Sequence, residues 1–156
     1  MNLLLISHRQ QSQQADCLAA CAAMLLEYLH VPVQYENLLR LLNVRSFGAS
    51  LFNLRNLQKL GLSVVIEEGH FSDLQFYLNM GLPVIVAVST AELTSYWMDS
   101  TDHVVIVIGI DTDSVYIHDP VLSSAPQIVA LQEFESAWLD QDYWYAVIGL
   151  DAIEMR

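Results

Sequence analysis

The feature that most constrains the fold is a run of thirteen residues that is apolar on nearly every side. It extends from Cys17 to Leu29 and reads Cys-Leu-Ala-Ala-Cys-Ala-Ala-Met-Leu-Leu-Glu-Tyr-Leu. Asp16, just before it, is a residue type favoured at helix N-caps. A helix with apolar residues all round has to be surrounded by other elements. We therefore predict a helix over these residues, capped by Asp16 and buried in the core.

The rest of the chain divides into a helical first half and a second half made mostly of strands. Further helices are predicted at Tyr35–Leu42, at 51–60 between the cap Ser50 and the stop Gly61, at Asp73–Met80 with Ser72 as cap, and at Leu131–Leu139. Strands are predicted at Leu62–Ile66, Pro83–Val88, His103–Ile110, Val115–His118 and Tyr143–Leu150. This order predicts an α+β fold, in which a mostly antiparallel sheet packs on the buried helix. Residues 1–156 are expected to form a single domain.

Composition excludes several classes of protein. The net charge is −12, with 18 acidic against 6 basic side chains, so a basic face for nucleic-acid phosphates is not expected. No apolar run approaches the roughly 20 residues of a membrane span, and the N-terminus does not read as a signal peptide. Two cysteines four residues apart do not make a disulfide scaffold. We expect a soluble, cytoplasmic protein without a cofactor.

Cys17 is a candidate nucleophile because it occupies the first position of the predicted helix. The partial positive charge at a helix N-terminus favours a thiolate, which is the reactive form of cysteine. Position alone leaves open the alternative that Cys17 is one more small apolar residue of the helix. Cys21, one turn further along, is expected to be an inert core residue.

A nucleophilic cysteine needs a base and a group that orients the base. His103 opens an apolar strand directly after a polar loop, which places it at the rim of the sheet. If the hairpin turns near Asp111 and Thr112, His103 lies opposite position 120, next to Asp119. The hairpin therefore predicts a histidine–carboxylate pair. His118 is expected to point to the other face of the sheet and to be structural.

Acyl transfer also needs hydrogen-bond donors for the developing oxyanion. The backbone N–H of Cys17, at the helix start, is one candidate. Four glutamines precede the helix, and the residues alone do not choose among them: Gln10, Gln11, Gln13 and Gln14.

The loop Ser89–Asp102 carries Tyr96, Trp97 and Met98 just before His103. These side chains either wall a substrate groove or cap the core. The acidic surface favours basic segments in a substrate.

Together these residues resemble the papain-like double-glycine leader peptidases, the cysteine peptidase domains of bacteriocin-exporting ABC transporters. The resemblance lies in Gln11 followed six residues later by Cys17, in His103-Val-Val-Ile-Val-Ile-Gly109, and in Asp119-Pro120. The order Cys, His, Asp agrees with that family, and so does the interval of sixteen residues from His103 to Asp119. The resemblance covers most of the chain.

The resemblance implies that Cys17 is the nucleophile, His103 its general base and Asp119 the group that orients the base. It selects Gln11 as the oxyanion-hole side chain. It also implies a papain-like fold, a peptide or protein substrate, and cleavage after Gly-Gly in leader peptides during bacteriocin processing. Leu18 stands where the family usually has glycine, and transporter spans are missing, so a free-standing relative is expected.

Three alternatives stay open on the sequence alone. The same triad serves an acyl or amide transferase, since both reactions share the acyl-enzyme step. A non-catalytic peptide-binding module on the same fold is a second alternative. A zinc site is disfavoured, because the C-x-x-x-C spacing inside an apolar helix lacks a second pair of ligands, and no metal is expected.

Overall fold

The structure is a computed structural model that describes residues 3–152. The α-helices are α1 (Cys17–Tyr28), α2 (Tyr35–Leu41), α3 (Phe71–Asn79) and α4 (Leu131–Leu139). The strands are β1 (Ser63–Glu68), β2 (Val84–Ser89), β3 (Asp102–Ile110), β4 (Ser114–His118), β5 (Gln127–Ala130) and β6 (Trp144–Gly149). Three 3₁₀ helices cover Gln14–Asp16, Leu51–Leu60 and Thr90–Glu92. None of the helices in this described part is long and apolar enough to span a membrane.

The six strands form one sheet in the order β1-β6-β2-β3-β4-β5, and all neighbours are antiparallel. The predicted α+β fold with an antiparallel sheet is therefore confirmed. Strand β5 was not predicted from the sequence; it is only four residues long and lies at the edge of the sheet. Its apolar run, from Ile128 to Ala130, is shorter than those of the inner strands and leads directly into α4.

The core lies on both faces of the sheet. Alternate residues of β3 point to opposite sides, as a strand requires: Ile106 and Ile108 face α1, whereas Val105 and Val107 face α3 and α4. The predicted burial of α1 is confirmed, because most of its residues, from Leu18 to Leu26, are buried. The sheet and α1 thus hold each other in a fixed arrangement around the start of the helix.

Asp16 occupies the predicted N-cap position of α1, but the predicted capping by its side chain is wrong. The Asp16 side chain makes no capping hydrogen bond, and a 3₁₀ turn at Gln14–Asp16 leads directly into the helix. The buried carboxylate instead accepts hydrogen bonds from Ser12 Oγ at 3.0 Å and Tyr35 OH at 3.2 Å. Both hydroxyl groups bind the Asp16 carboxylate, which does not bond to the N–H groups at the start of α1. Because Tyr35 belongs to α2, Asp16 connects the 3₁₀ turn to α2.

The predicted cap of α3 is also wrong. Ser72 lies inside the helix, which begins at Phe71 with His70 as the N-cap. The Asp73 carboxylate accepts a hydrogen bond of 2.7 Å from the backbone N–H of His70. A charged acceptor at this position fixes the start of the helix more strongly than a serine hydroxyl does.

The bounds of the third predicted helix are confirmed, although its geometry is 3₁₀. Ser50 Oγ accepts a hydrogen bond of 3.2 Å from Phe52 N at its start. Gly61 ends it with a left-handed φ of 82°, a conformation that glycine adopts without strain.

The β3–β4 hairpin turns one residue later than predicted. Ile110 pairs with Val115, whereas Ile106 pairs with His118, so the register shifts by one residue at a bulge after Val107. The bulge partly offsets the error in the turn, so the register at the start of β3 differs from the predicted one by a single position. Because β4 ends at His118, which pairs with Ile106, the first residues of β3 extend past the paired end of β4.

Candidate active site

A cleft of about 630 Å³ opens between the start of α1 and the start of β3. Cys17 and His103 both line it. One wall continues into the segment 46–52 and the other into β6 at Trp144. The two halves of the chain, one mainly helical and one mainly sheet, therefore meet at these two side chains.

Cys17 is the first residue of α1 and is partly exposed to the cleft. The helix follows the preceding 3₁₀ turn without a break, and the backbone of Cys17 is already helical, with φ −56° and ψ −44°. The unpaired N–H groups at the start of a helix stabilise negative charge nearby. The fold therefore places the sulfur where an anionic nucleophile is favoured.

His103 lies near the start of β3, where it pairs with Val88 of β2. The ring is 6% exposed, and its Nε2–H donates a hydrogen bond of 2.7 Å to Asp119 Oδ1. Burial lowers the pKa of His103, but the hydrogen bond with Asp119 and the interaction with Cys17 outweigh it and raise the pKa from 6.5 to about 9. The imidazole is therefore protonated at neutral pH, and its positive charge favours negative charge close to it.

Asp119, which follows the end of β4, is completely buried. Four donors reach its carboxylate. Oδ2 accepts from Tyr96 OH at 2.7 Å and Trp97 Nε1 at 2.9 Å. Oδ1 accepts from His103 Nε2 and from Val121 N, the latter at 3.0 Å. Burial raises the pKa of Asp119, but these bonds and the charge of His103 lower it below its ordinary value, so Asp119 stays ionised.

The two aromatic donors settle the alternative that the sequence left open for this loop. Tyr96 and Trp97 are not among the side chains that line the cleft; they hold Asp119. The Trp97 ring also lies edge-on to His103, with centroids 5.0 Å apart. Met98, in contrast, is 97% exposed and supports neither group. The only signal in the sequence was a pair of aromatic residues with polar hydrogens just before the histidine.

Thr90 fixes the loop that carries these aromatics. Its side chain is almost fully buried and donates a hydrogen bond of 2.7 Å to Asp99 O. Its Oγ1 also accepts a hydrogen bond of 2.8 Å from the backbone N–H of Thr101. The two ends of the loop are thereby clamped together directly before His103.

Gln11 lies beside the cleft but does not line it. Its Nε2 donates to the carbonyls of Gln13 at 2.9 Å and Gln14 at 3.1 Å, which uses both amide hydrogens. Its backbone N–H donates to Pro120 O at 2.6 Å. Gln14, of the four candidate glutamines, lines the cleft. The structure thus brings the cysteine, histidine and aspartate together, whereas Gln11 is not among the side chains that line the cleft.

The segment before Gln11 is tied to the loop after Asp119 by two histidines. His118 Nε2 donates to Ile6 O at 2.7 Å, and His8 Nε2 donates to Leu122 O at 2.6 Å. Their rings meet edge to face at 5.4 Å. Burial lowers the pKa of His118, and the nearby His8 adds to this effect. These contacts agree with the structural role expected for His118.

Leu18 does not obstruct the site. Its side chain is completely buried in the core between α1 and the sheet. It is not among the residues that line the cleft. The Leu18 side chain therefore does not occupy the cleft beside Cys17.

The zinc alternative depends on whether side chains that can bind the metal lie close together and are available as ligands. Cys21 is completely buried, and its Sγ donates to Val104 O at 3.7 Å. Burial, with the nearby Cys17 and Asp119, raises the pKa of the Cys21 thiol well above its ordinary value. Within residues 3–152, no group of three or more His, Cys, Asp or Glu side chains is placed to hold a metal ion.

Comparison with known families gives a direct assignment. A model of the peptidase C39 family matches residues 6–141, a stretch that includes Cys17, His103 and Asp119. The chain belongs to this family. It is a cysteine peptidase with a papain-like fold, as the sequence motifs predicted. No curated protein matches the sequence.

Solved structures of C39 peptidases share the fold. A protein described as a C39-like peptidase from Bacillus anthracis has a TM-score of 0.80 at 19% identity, over 98% of this chain and 100% of that one. A double-glycine motif protease from an AMS/PCAT transporter, in complex with the leader peptide, has a TM-score of 0.74 at 19% identity, over 95% of this chain and 94% of that one. The peptidase domain of Streptococcus ComA, a bifunctional ABC transporter, has a TM-score of 0.75 at 17% identity, over 95% of this chain and 99% of that one.

Proposed function

We propose that this C39 peptidase hydrolyses peptide bonds through a triad of Cys17, His103 and Asp119, with residues 1–156 acting as one domain. The observation that carries the proposal is the 2.7 Å bond from His103 Nε2 to the buried Asp119 carboxylate, in the cleft where Cys17 is exposed. With Nε2 held by the carboxylate, the other ring nitrogen, Nδ1, is left for proton transfer with the sulfur and the substrate.

In the first half of the reaction, the Cys17 thiolate attacks the carbonyl carbon of the scissile bond, and the electrons of the C=O bond move to oxygen. As this oxyanion collapses, the C–N bond breaks and His103 gives its proton to the leaving amine. The product is a thioester on Cys17 and a neutral imidazole. The raised pKa of His103, about 9, ensures that the proton is present at neutral pH.

In the second half, neutral His103 removes a proton from water, and the resulting hydroxide attacks the thioester. The C–S bond breaks, the new carboxylic acid leaves, and the thiolate–imidazolium pair is restored. Asp119 keeps the ring oriented throughout and balances its positive charge.

The oxyanion donors in this proposal are the Cys17 backbone N–H and the Gln11 side chain. Both amide hydrogens of Gln11 are bonded to the carbonyls of Gln13 and Gln14. Donation to the oxyanion therefore requires one of these bonds to open when substrate binds. Gln14 and Ala15 line the cleft, so substrate contacts the same turn whose carbonyls hold the amide.

The proposed substrate is a leader peptide cleaved after Gly-Gly, in a step of bacteriocin processing. Support comes from the fold shared with a double-glycine protease that was solved with its leader peptide. Both thiols of the described chain are free, which suits a reducing compartment, and a cytoplasmic location stays a prediction.

The proposal is tested by mass spectrometry of peptides incubated with the wild-type protein and with Cys17→Ala. We expect cleavage by the wild-type protein, at Gly-Gly sites in preference to matched Ala-Ala sites, and none by the variant. Cleavage by Cys17→Ala would contradict the triad. Addition of amine nucleophiles to the same mixture separates hydrolysis from acyl transfer by the ratio of products: a hydrolase yields mainly the carboxylic acid, whereas a transferase yields mainly the amide.

A further inference from the structure

The carboxylate of Asp102 lies in the catalytic cleft without a cationic partner. Asp102 is the first residue of β3 and lines the cleft beside His103. Its side chain accepts one hydrogen bond, 2.9 Å long, from Gln141 Nε2 to Oδ1. No Lys or Arg in the described part of the chain forms an ion pair with it. Because the Gln141 amide is neutral, the negative charge of Asp102 is uncompensated.

The backbone holds both members of this contact in place. Asp102 pairs with Ser89 across β2 and β3. Gln141 lies in the turn after α4, where its N–H donates to Trp138 O at 2.9 Å and its carbonyl accepts from Trp144 N at 3.2 Å. A carboxylate fixed in this way binds a partner with little loss of side-chain entropy.

The other lining groups favour a cation with an apolar stem. The positive charge of His103 is balanced by the buried Asp119 carboxylate, so Asp102 gives the cleft a net negative charge. Phe52 and Trp144 line the same cleft as an edge-to-face pair with centroids 4.8 Å apart. The aliphatic stem of a Lys or Arg side chain packs on such an aromatic surface while its charged head reaches a carboxylate.

We propose that Asp102 is a specificity residue that binds a Lys or Arg side chain of the substrate close to the scissile bond. The inference rests on the proposed peptidase function and adds a chemical class of substrate to it. It is compatible with a Gly-Gly pair, because the basic residue occupies a different position of the peptide.

The test measures peptide binding to the inactive Cys17→Ala protein by fluorescence anisotropy. The probes are labelled peptides with a central Gly-Gly pair, in which one Lys, Gln or Glu is moved along the sequence. At one position we expect the Lys peptide to bind about five- to tenfold more tightly than the Glu peptide, as for a partly screened charge pair. The difference should shrink at high salt.

Two substitutions at Asp102 separate its charge from its structural contact. Asp102→Asn keeps an oxygen acceptor for Gln141 and removes only the charge, so the Lys preference should disappear. Asp102→Lys should reverse the preference towards Glu. The matched control is Asp113→Asn, which makes the same charge change at an exposed residue. Asp113 lies in the turn between β3 and β4, at the opposite end of β3 from Asp102. This control should retain the preference.

A Lys preference that persists in Asp102→Asn, or the absence of any charge preference at every position, would overturn the inference. Because binding is measured without catalysis, its outcome is distinct from that of the proposed function. A lack of cleavage by the wild-type protein would contradict the peptidase proposal and would not alter the binding result.

Discussion

Trp97 and Asp119 are joined by a hydrogen bond of 2.9 Å from the indole Nε1–H to the buried Oδ2. Tyr96 donates to the same oxygen at 2.7 Å, so one side of the carboxylate is fully occupied by the loop before β3. The other oxygen is left for His103 and for the backbone of Val121. The orientation of His103 thus depends on two loop side chains, Tyr96 and Trp97, that do not line the cleft.

Loss of one of these donors should weaken the protein and the site together. Tyr96→Phe removes one hydrogen bond from a buried, charged carboxylate and should lower the free energy of unfolding by about 1.5–3 kcal/mol. Urea unfolding measures this, and kcat/KM should fall in the same variant. The matched control is Tyr116→Phe, which removes a bond to the turn residue Asp111 and should cost less, because that carboxylate lies outside the buried core. Equal costs for the two variants would contradict the role assigned to Tyr96.

Activity should decline in alkaline solution as His103 loses its proton. The pKa of His103 is raised to about 9, so kcat/KM should fall as the pH rises through 9. Asp119→Asn removes the charged partner that stabilises the imidazolium and should shift this decline to lower pH. The measurement is the pH profile of kcat/KM for both proteins, and an unchanged alkaline decline in Asp119→Asn would contradict the coupling.

The same pair predicts how stability varies with pH. The folded pKa of His103 lies above the unfolded value of about 6.5, so its contribution is fully present below pH 6.5 and is lost as the pH rises through 9. Denaturant midpoints across this range should show the loss in the wild-type protein. The slope should be smaller in Asp119→Asn, and an equal slope would argue against the ion pair as its source.

Protonation of His118 should make the protein less stable in acid. Its folded pKa is lowered by burial, so below about pH 6.5 the unfolded chain binds a proton that the folded chain does not, and stability falls. His118→Gln keeps an N–H donor for Ile6 O and removes the titrating group. Urea midpoints between pH 7 and pH 5 should therefore decline less in this variant. A wild-type slope in His118→Gln would place the acid sensitivity elsewhere.

Gln11 should act on the reaction rather than on binding if its amide donates to the oxyanion. Gln11→Ala should then reduce kcat by about 10²–10³-fold with little change in KM. The control is Gln10→Ala, since Gln10 Nε2 donates to Val121 O at 3.1 Å outside the cleft. Equal kinetic effects of the two variants would assign Gln11 to the structure of the turn alone.

The closeness of Cys17, His103 and Asp119 could be predicted because it depends on features that tolerate small errors. The hairpin prediction was off in its turn and missed the bulge after Val107, yet the spacing of sixteen residues still brought His103 and Asp119 together. The helix start placed Cys17 correctly even though Asp16 does not cap it. Position in an element was enough, and capping detail was not needed.

The hydrogen bonds that hold Asp119 in place could not be predicted, since they depend on contacts between distant segments. Tyr96 and Trp97 reach Asp119 only because Thr90 closes their loop, which no local pattern reveals. The edge strand β5 was missed for a related reason: its pairing with β4 depends on the fold rather than on its own composition.

The central claim, a thiolate on Cys17 maintained by His103, is tested most directly by the rate of alkylation of Cys17 by iodoacetamide at neutral pH, followed by mass spectrometry. Cys21, which is completely buried, serves as the internal reference. We predict rapid labelling of Cys17 in the wild-type protein, slow labelling of Cys21, and a large decrease for Cys17 in His103→Ala. An equal rate of Cys17 labelling in the wild-type protein and in His103→Ala would contradict the account.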